Sequence, residues 1–220
     1  MRKYFLLCIF LYSCSSEFDL KNGDILFQDL DSSELCIAIE GVSEGYNGSN
    51  LSHIGMIVKQ NNQILVIEAL PPKVVLTPLK NFLNRSKDIN GNPKVLVGRL
   101  KDKFKNHINK SINYCLMKIG HEYDDEFIFD NNSLYCSELI YNSFNNDTIF
   151  KAKPMIFESQ FDKNIVKIWI DYYNKLDKPI PHDKLGINPG MMSISDAIEI
   201  VYIYGLPDGF ESKKSENEKY

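Results

Sequence analysis

The chain has little of what marks a disulfide-stapled domain, a zinc module or a membrane-spanning helix. Its five cysteines, Cys8, Cys14, Cys36, Cys115 and Cys136, are spaced widely and unevenly. A disulfide framework shows a dense, even set, and no C-x-x-C pair is present to suggest structural zinc. A basic excess is also missing. The 25 Lys and Arg stand against 29 Asp and Glu, a net charge of −4, whereas a nucleic-acid footprint usually shows as a basic domain. No apolar run approaches the roughly 18 residues of a transmembrane helix, and no internal repeat is visible. What the 220 residues do hold is a 44% apolar and 25% charged mixture with 12 Tyr and 13 Phe. That composition suits a packed globular chain and excludes collagen, coiled coil and wholesale disorder. The length allows one domain, or two small ones at most.

The N-terminus reads Met1-Arg2-Lys3-Tyr4 and then Phe5-Leu6-Leu7-Cys8-Ile9-Phe10. A basic start followed by a short apolar run is the pattern of a secretory leader. Leu11-Tyr12-Ser13-Cys14 resembles a bacterial lipobox, in which the Cys becomes the lipidated first residue of the mature chain. An ordinary cleaved signal and a buried first strand are the alternatives. The expected organisation is a signal peptide at 1–13, one domain at 14–210 and a polar, disordered tail at 211–220. A lipid on Cys14 would tether the chain to a membrane outside the cytoplasm, in the bacterial cell envelope.

Within the body, Ile25-Leu26-Phe27 is expected as a strand and Ser33–Ile39 as a short helix ended by Gly41. Ser52–Val58 and Gln63–Ala69 read as a hairpin joined by Lys59-Gln60-Asn61-Asn62. Val74–Leu76 and Lys94–Leu100 are further strand candidates, and Leu79–Leu83 a helical turn. Ile108, Ile112, Cys115 and Ile119 recur at helical spacing, so Lys105–Ile119 should be an amphipathic helix with Gly120 at its end. Asp130-Asn131-Asn132-Ser133 offers caps for a helix at Cys136–Phe144. Lys175–Met192 reads as a long irregular stretch and Ser195–Val201 as helical. The fold class is α+β, a small antiparallel sheet or barrel packed against helices.

Three residues carry chemistry together. Cys136 falls in the first turn of its helix, where unpaired N–H groups and the helix dipole favour a thiolate, the reactive form. The alternative there is a buried apolar thiol. His53 alternates with Gly55 along its strand, which leaves space beside the imidazole; a structural His at a sheet edge is the competing reading. Glu68 lies in the otherwise apolar Ile64–Ala69 run, and a carboxylate there needs a partner. Opposed residues of an antiparallel hairpin share a constant sum of positions, and a two- or four-residue loop makes that sum odd. The sum for His53 and Glu68 is odd, so they share a face, directly opposite or one diagonal step apart. A three- or five-residue loop would part them. Thiolate, imidazole and carboxylate are the three roles of a nucleophilic triad.

The motifs Asn22-Gly23-Asp24-Ile25-Leu26-Phe27-Gln28, Ser52-His53-Ile54-Gly55, Val66-Ile67-Glu68-Ala69, Tyr123-Asp124 and Leu134-Tyr135-Cys136-Ser137-Glu138-Leu139 resemble the YiiX/YebB-like branch of the NlpC/P60 superfamily. These are circularly permuted papain-like cysteine hydrolases in which His precedes Cys. The match runs from about Gly23 to Ala197, with Ser195 where the family usually has Pro. The resemblance implies Cys136 as nucleophile, His53 as base, Glu68 as the third polar residue, and hydrolysis of amide or peptide bonds, often in cell-wall-type peptides. Relatives with this order include lipid acyltransferases. The expected function is therefore an envelope cysteine hydrolase acting on peptide or peptidoglycan-derived substrates, without cofactor, metal or nucleic acid. A lipid-directed acyltransferase or thioesterase and a non-enzymatic binding lipoprotein are the alternatives. The Gly45–Asn50 loop and the Lys175–Met192 stretch suggest a polar peptide as substrate. Tyr123, Tyr135 and His182 are candidates for substrate contact, Tyr135 also for plain packing. Cys115 reads as core, and Cys36 as structural or cleft-lining.

Overall fold

The computed structural model describes residues 18–144, 149–158 and 162–211. The expected leader, Cys14 and all of the expected tail after Glu211 lie outside the described residues. Six strands, β1 (Ile25–Gln28), β2 (His53–Gln60), β3 (Gln63–Leu70), β4 (Lys73–Pro78), β5 (Val95–Leu100) and β8 (Ile198–Ile203), form one antiparallel sheet in the order β4-β3-β2-β1-β5-β8. A second sheet pairs only β6 (Lys153–Pro154) with β7 (Leu185–Gly186). The helices are α1 (Glu34–Glu40), α2 (Leu79–Leu83), α3 (Ile108–Met117), α4 (Cys136–Ser143), α5 (Lys163–Leu176) and α6 (Pro189–Ser193). The sheet is open, with β4 and β8 at its edges, so the barrel alternative does not apply.

Alternation along β2 sorts the core. Ile54, Met56 and Val58 join Ile112 and Cys115 of α3 and Leu139 and Ile140 of α4 in the main cluster. Ile57 instead joins Val66, Val97 and Phe82 of α2 in a smaller one. A third cluster is aromatic: Phe127, Tyr135, Phe157, Trp169 and Tyr173 pack beside Ala38 of α1. The β2–β3 turn is tighter than the sequence suggested. Gln60 pairs with Gln63, leaving only Asn61 (φ 51) and Asn62 (φ 60) in the loop. Two central residues with positive φ are what the hairpin turn of matching twist requires, and Asn tolerates that conformation better than most residues.

Three expectations need correction. Ser195–Val201 is not helical. Ile198–Ile203 is strand β8, because its β-branched residues find β5 as a partner, and pairing outweighs the weak helical signal. The irregular stretch begins inside α5, which the sequence reading left unassigned. Asp162 caps α5 by accepting the Asn164 N–H at 2.8 Å, and Ile165, Trp169 and Tyr173 fall four apart on its buried face. Finally, the run from Asp130 to Ser133 does not cap α4. Asn131 Oδ1 instead accepts from the N–H and hydroxyl of Ser133 at 3.1 and 2.8 Å, closing a local turn. The N-cap position falls to Tyr135, whose side chain makes no cap bond.

Candidate active site

His53 is the first residue of β2 and Cys136 the first of α4. Two element termini therefore meet, and the imidazole at the start of its strand reaches the head of a helix packed on the sheet. The β2–β3 register pairs Met56 with Ile67; extended by one step it sets Gly55 across from Glu68, and His53 one diagonal step away. The odd sum holds because shortening the loop from four residues to two leaves parity unchanged. Gly55 is needed as glycine here: a β-carbon on it would collide with the Val66 side chain and lie 3.4 Å from the Glu68 β-carbon.

His53 Nε2 and Glu68 Oε2 are 2.6 Å apart, with the imidazole 4% exposed and the carboxylate fully buried. Since Nε2 is taken by Glu68, Nδ1 is the ring nitrogen available toward Cys136, the other side chain that acts on the imidazole. Burial would lower the His53 pKa, but the bonds to Cys136 and Glu68 outweigh it and raise it to about 9. Glu68 moves the other way. Burial works against its charge, yet hydrogen bonds from Arg85 and His53 hold it at about 2. A buried charge is tolerated when it is paired on both oxygens, and this one is.

The sequence reading missed Arg85. It follows α2 and donates from Nη1 to Glu68 Oε2 at 2.7 Å and from Nη2 to Oε1 at 2.6 Å. Its guanidinium lies 5.2 Å from the Phe82 ring centre, and that ring is 5.8 Å from His53. A signal was available: a carboxylate inside an apolar strand has two oxygens to satisfy, and a single imidazole N–H occupies only one of them.

Cys136 borders a cleft of about 290 Å³ whose walls are mainly apolar, among them Ile39, Val42, Phe127, Met155, Trp169 and Ile187. Ile187 is held from both sides by the start of α4. Its N–H donates to the Tyr135 hydroxyl at 3.2 Å, and its carbonyl accepts from Ser137 Oγ at 2.8 Å. Tyr135 thus lines the cleft and fastens its wall. Tyr123 lines a different, acidic cavity with Asp124, Asp125 and Glu126. Burial, and after it the nearby Cys136, pushes the Tyr123 hydroxyl pKa well up. His182 is exposed and stands behind the cleft, its ring 5.8 Å from Phe157. The Gly45–Asn50 loop is absent from the cleft wall, and most of what the 175–192 stretch contributes is apolar. The expectation of a polar groove is corrected accordingly.

The other two thiols described are free and buried. Burial pushes Cys115 up to about 12, and Cys36 Sγ contacts the hydroxyls of Ser32 and Ser33 at 3.5 and 3.4 Å; neither lines the cleft. One carboxylate cluster, Asp29, Asp31 and Asp208, has the spacing of a cation site. Its centre is taken by the chain itself: Lys94 Nζ lies 3.1, 2.7 and 3.0 Å from those three residues. Burial raises the Asp29 carboxyl pKa against the bonds from Asp208 N–H and Lys94. With an ammonium group already bonded to all three carboxylates, this donor set does not fit a metal ion. Among the described residues, no helix is long and apolar enough to cross a membrane.

Comparison with known proteins identifies the family and the fold. The chain is 24% identical over 184 residues to the uncharacterised protein YiiX of Escherichia coli K12, covering 83% of this chain and 85% of the relative. It also superposes on the crystal structure of YiiX from E. coli O157:H7, described as a metalloprotein, with a TM-score of 0.69 and 24% identity over 85% of this chain and 98% of the other. The family model for permuted papain-like amidases, the YaeF/YiiX or C92 family, matches residues 19–202, and the chain belongs to that family.

Proposed function

We propose that the chain is a cysteine amidase of the bacterial cell envelope, anchored by a lipid on Cys14. The observation that carries the chemistry is the linked set Cys136–His53–Glu68, with the imidazole bonded to Glu68 through Nε2, Cys136 acting on the same ring, and the three residues fixed on three different elements. In the proposed cycle the Cys136 thiolate attacks the amide carbonyl carbon, and the N–H groups at the start of α4 are the available donors for the oxyanion. The C–N bond breaks as His53 gives its proton to the leaving amine, which leaves an acyl thioester on Cys136. Water, giving a proton to His53, then attacks the thioester and releases a carboxylic acid and the free thiolate.

Cell-wall-type peptides are the first substrate class to try. A second reading, lipid-directed acyl transfer or thioester hydrolysis with the same three residues, draws support from the apolar cleft, which suits a long acyl group better than a polar peptide. The deciding experiment is intact-mass analysis of purified protein after brief incubation with cell-wall digests and, separately, with N-acyl amides of short and long chain. A peptide-derived adduct on Cys136 supports the first reading, and a long-chain acyl adduct the second. Absence of any adduct together with absence of iodoacetamide labelling at Cys136 leaves the binding lipoprotein.

A further inference from the structure

Glu68 accepts from two neighbours, and only one of them belongs to the proposed triad. The Arg85 fork spans both carboxylate oxygens, at 2.7 and 2.6 Å, and its Nη1 shares Oε2 with His53. Such a fork fixes the plane of a carboxylate, which a single imidazole contact does not. Arg85 is itself placed twice: its N–H donates to the Phe82 carbonyl at 3.3 Å, and its guanidinium rests over the Phe82 ring. The same carbonyl accepts from Gln28 Nε2 at 2.9 Å, and Gln28 is paired with His53 across β1 and β2. Arg85, Phe82, Gln28, His53 and Glu68 thus form a closed ring of contacts.

We propose that Arg85 is a positioning residue of this site: it fixes the plane of the Glu68 carboxylate and takes up part of its charge, so that His53 meets a tempered rather than a full negative charge. The inference rests on the proposed role of His53 as proton donor and acceptor. A full, desolvated carboxylate would over-stabilise the imidazolium and make it a reluctant donor to the leaving amine, because proton transfer is most efficient when the donor pKa stays near the working pH. The ionisable groups facing the pair are few. Cys136 comes from α4, Arg85 from the segment after α2, and Tyr123 stands beyond Cys136. β1 contributes the uncharged Gln28, and β4 sets Val75 across from Glu68.

The test is read without turnover, on the full chain labelled with ¹⁵N-histidine, the His53 ring signals being assigned by His53→Gln. In the parent the ring should titrate near 9. Arg85→Met should move that midpoint upward by about one pH unit, the effect of one charge within a few ångströms. Arg85→Lys, which keeps the charge and loses the fork, should return it close to the parent value. A folded Arg85→Met chain with an unmoved His53 midpoint overturns the proposal, since a purely structural arginine would change stability and leave the titration alone. If Arg85→Met does not fold, Arg85→Gln keeps donors without charge, and its midpoint decides in the same way. Parallel labelling of the parent with iodoacetamide separates the two ideas. An unlabelled Cys136 removes the nucleophile reading, while the His53 midpoints still judge Arg85.

Discussion

Two arginine forks in this molecule look alike and do different work. The chain has only three arginines among its 25 basic residues, and the two within the described residues both grip a buried acid through two bonds. Arg85 holds Glu68 at 2.7 and 2.6 Å, and Arg99 holds Asp24 at 2.7 Å twice. Each guanidinium also lies over a phenylalanine, Phe82 at 5.2 Å and Phe18 at 5.5 Å. The third partner separates them. Asp24 accepts in addition the N–H of Lys21 at 2.7 Å, so that fork closes a turn ahead of β1. Glu68 shares its oxygen with a histidine that reaches Cys136. The same ion pair is scaffold in one place and, under the proposed mechanism, part of a proton path in the other. What the carboxylate touches next decides which.

The comparison can be broken by experiment. On the site side, Cys136→Ala should abolish turnover and thiol labelling while leaving the thermal midpoint close to the parent, because a residue at a helix start contributes little to the core. Hydrolysis assays with a melting curve on the same sample check both halves. Glu68→Gln keeps a polar group beside the imidazole and loses the charge that stabilises the imidazolium. It should lower kcat by roughly 10- to 10⁴-fold, bounded above by the orienting-Asp substitution of serine proteases. On the scaffold side, Arg99→Ala leaves Asp24, 1% exposed, without its counter-charge. That should cost about 3 kcal/mol, the lower end of the range for broken buried pairs because Arg99 itself is partly solvated. A urea midpoint measures it, and activity per folded molecule should stay unchanged.

The pH profile sharpens the contrast further. His53 is held at about 9 against an ordinary 6.5, so its stabilising contribution is complete below 6.5 and is lost as pH rises through 9. Glu68, held at about 2 against 4.5, contributes above 4.5 and is lost as pH falls through 2. The kcat/KM profile should therefore show its alkaline limb near 9, and His53→Gln should remove the matching fall in stability. The smallest effect belongs to Cys36→Ala, which should leave turnover within about twofold, as expected of a residue outside the cleft. Loss of turnover there, with Cys136→Ala still active, would put the nucleophile in the wrong place.

How much of this was legible beforehand depends on how local each signal is. The shared face of His53 and Glu68 could be read because hairpin parity survives an error in loop length. The placement of Cys136 at a helix start could be read because the break before it and the apolar spacing after it lie within a dozen residues. Arg85 could not be found that way. It sits 17 positions from Glu68, with a strand and a short helix between, and no local pattern pairs them. The cleft was misjudged for a similar reason. Its wall draws on α1, the segment before α4, β6 and the turn after it, α5, and the run from β7 into α6, so no single stretch shows its apolar character. Strand β8 was lost to a helix reading because its partner β5 is about a hundred residues away.

The lysine inside the three-carboxylate nest has a consequence of its own. Lys94 draws Asp29 and Asp31, just past β1, toward Asp208 near the end of the described chain. A bound ion would hold those segments together only while the surroundings supplied it. A tethered ammonium group is always at the high local concentration its own backbone imposes. Chelators do not strip it, and a competing divalent cation would have to displace a group that cannot diffuse away. At this corner the chain carries its own counter-ion, and the junction between β1 and the C-terminal segment does not depend on a supplied metal ion.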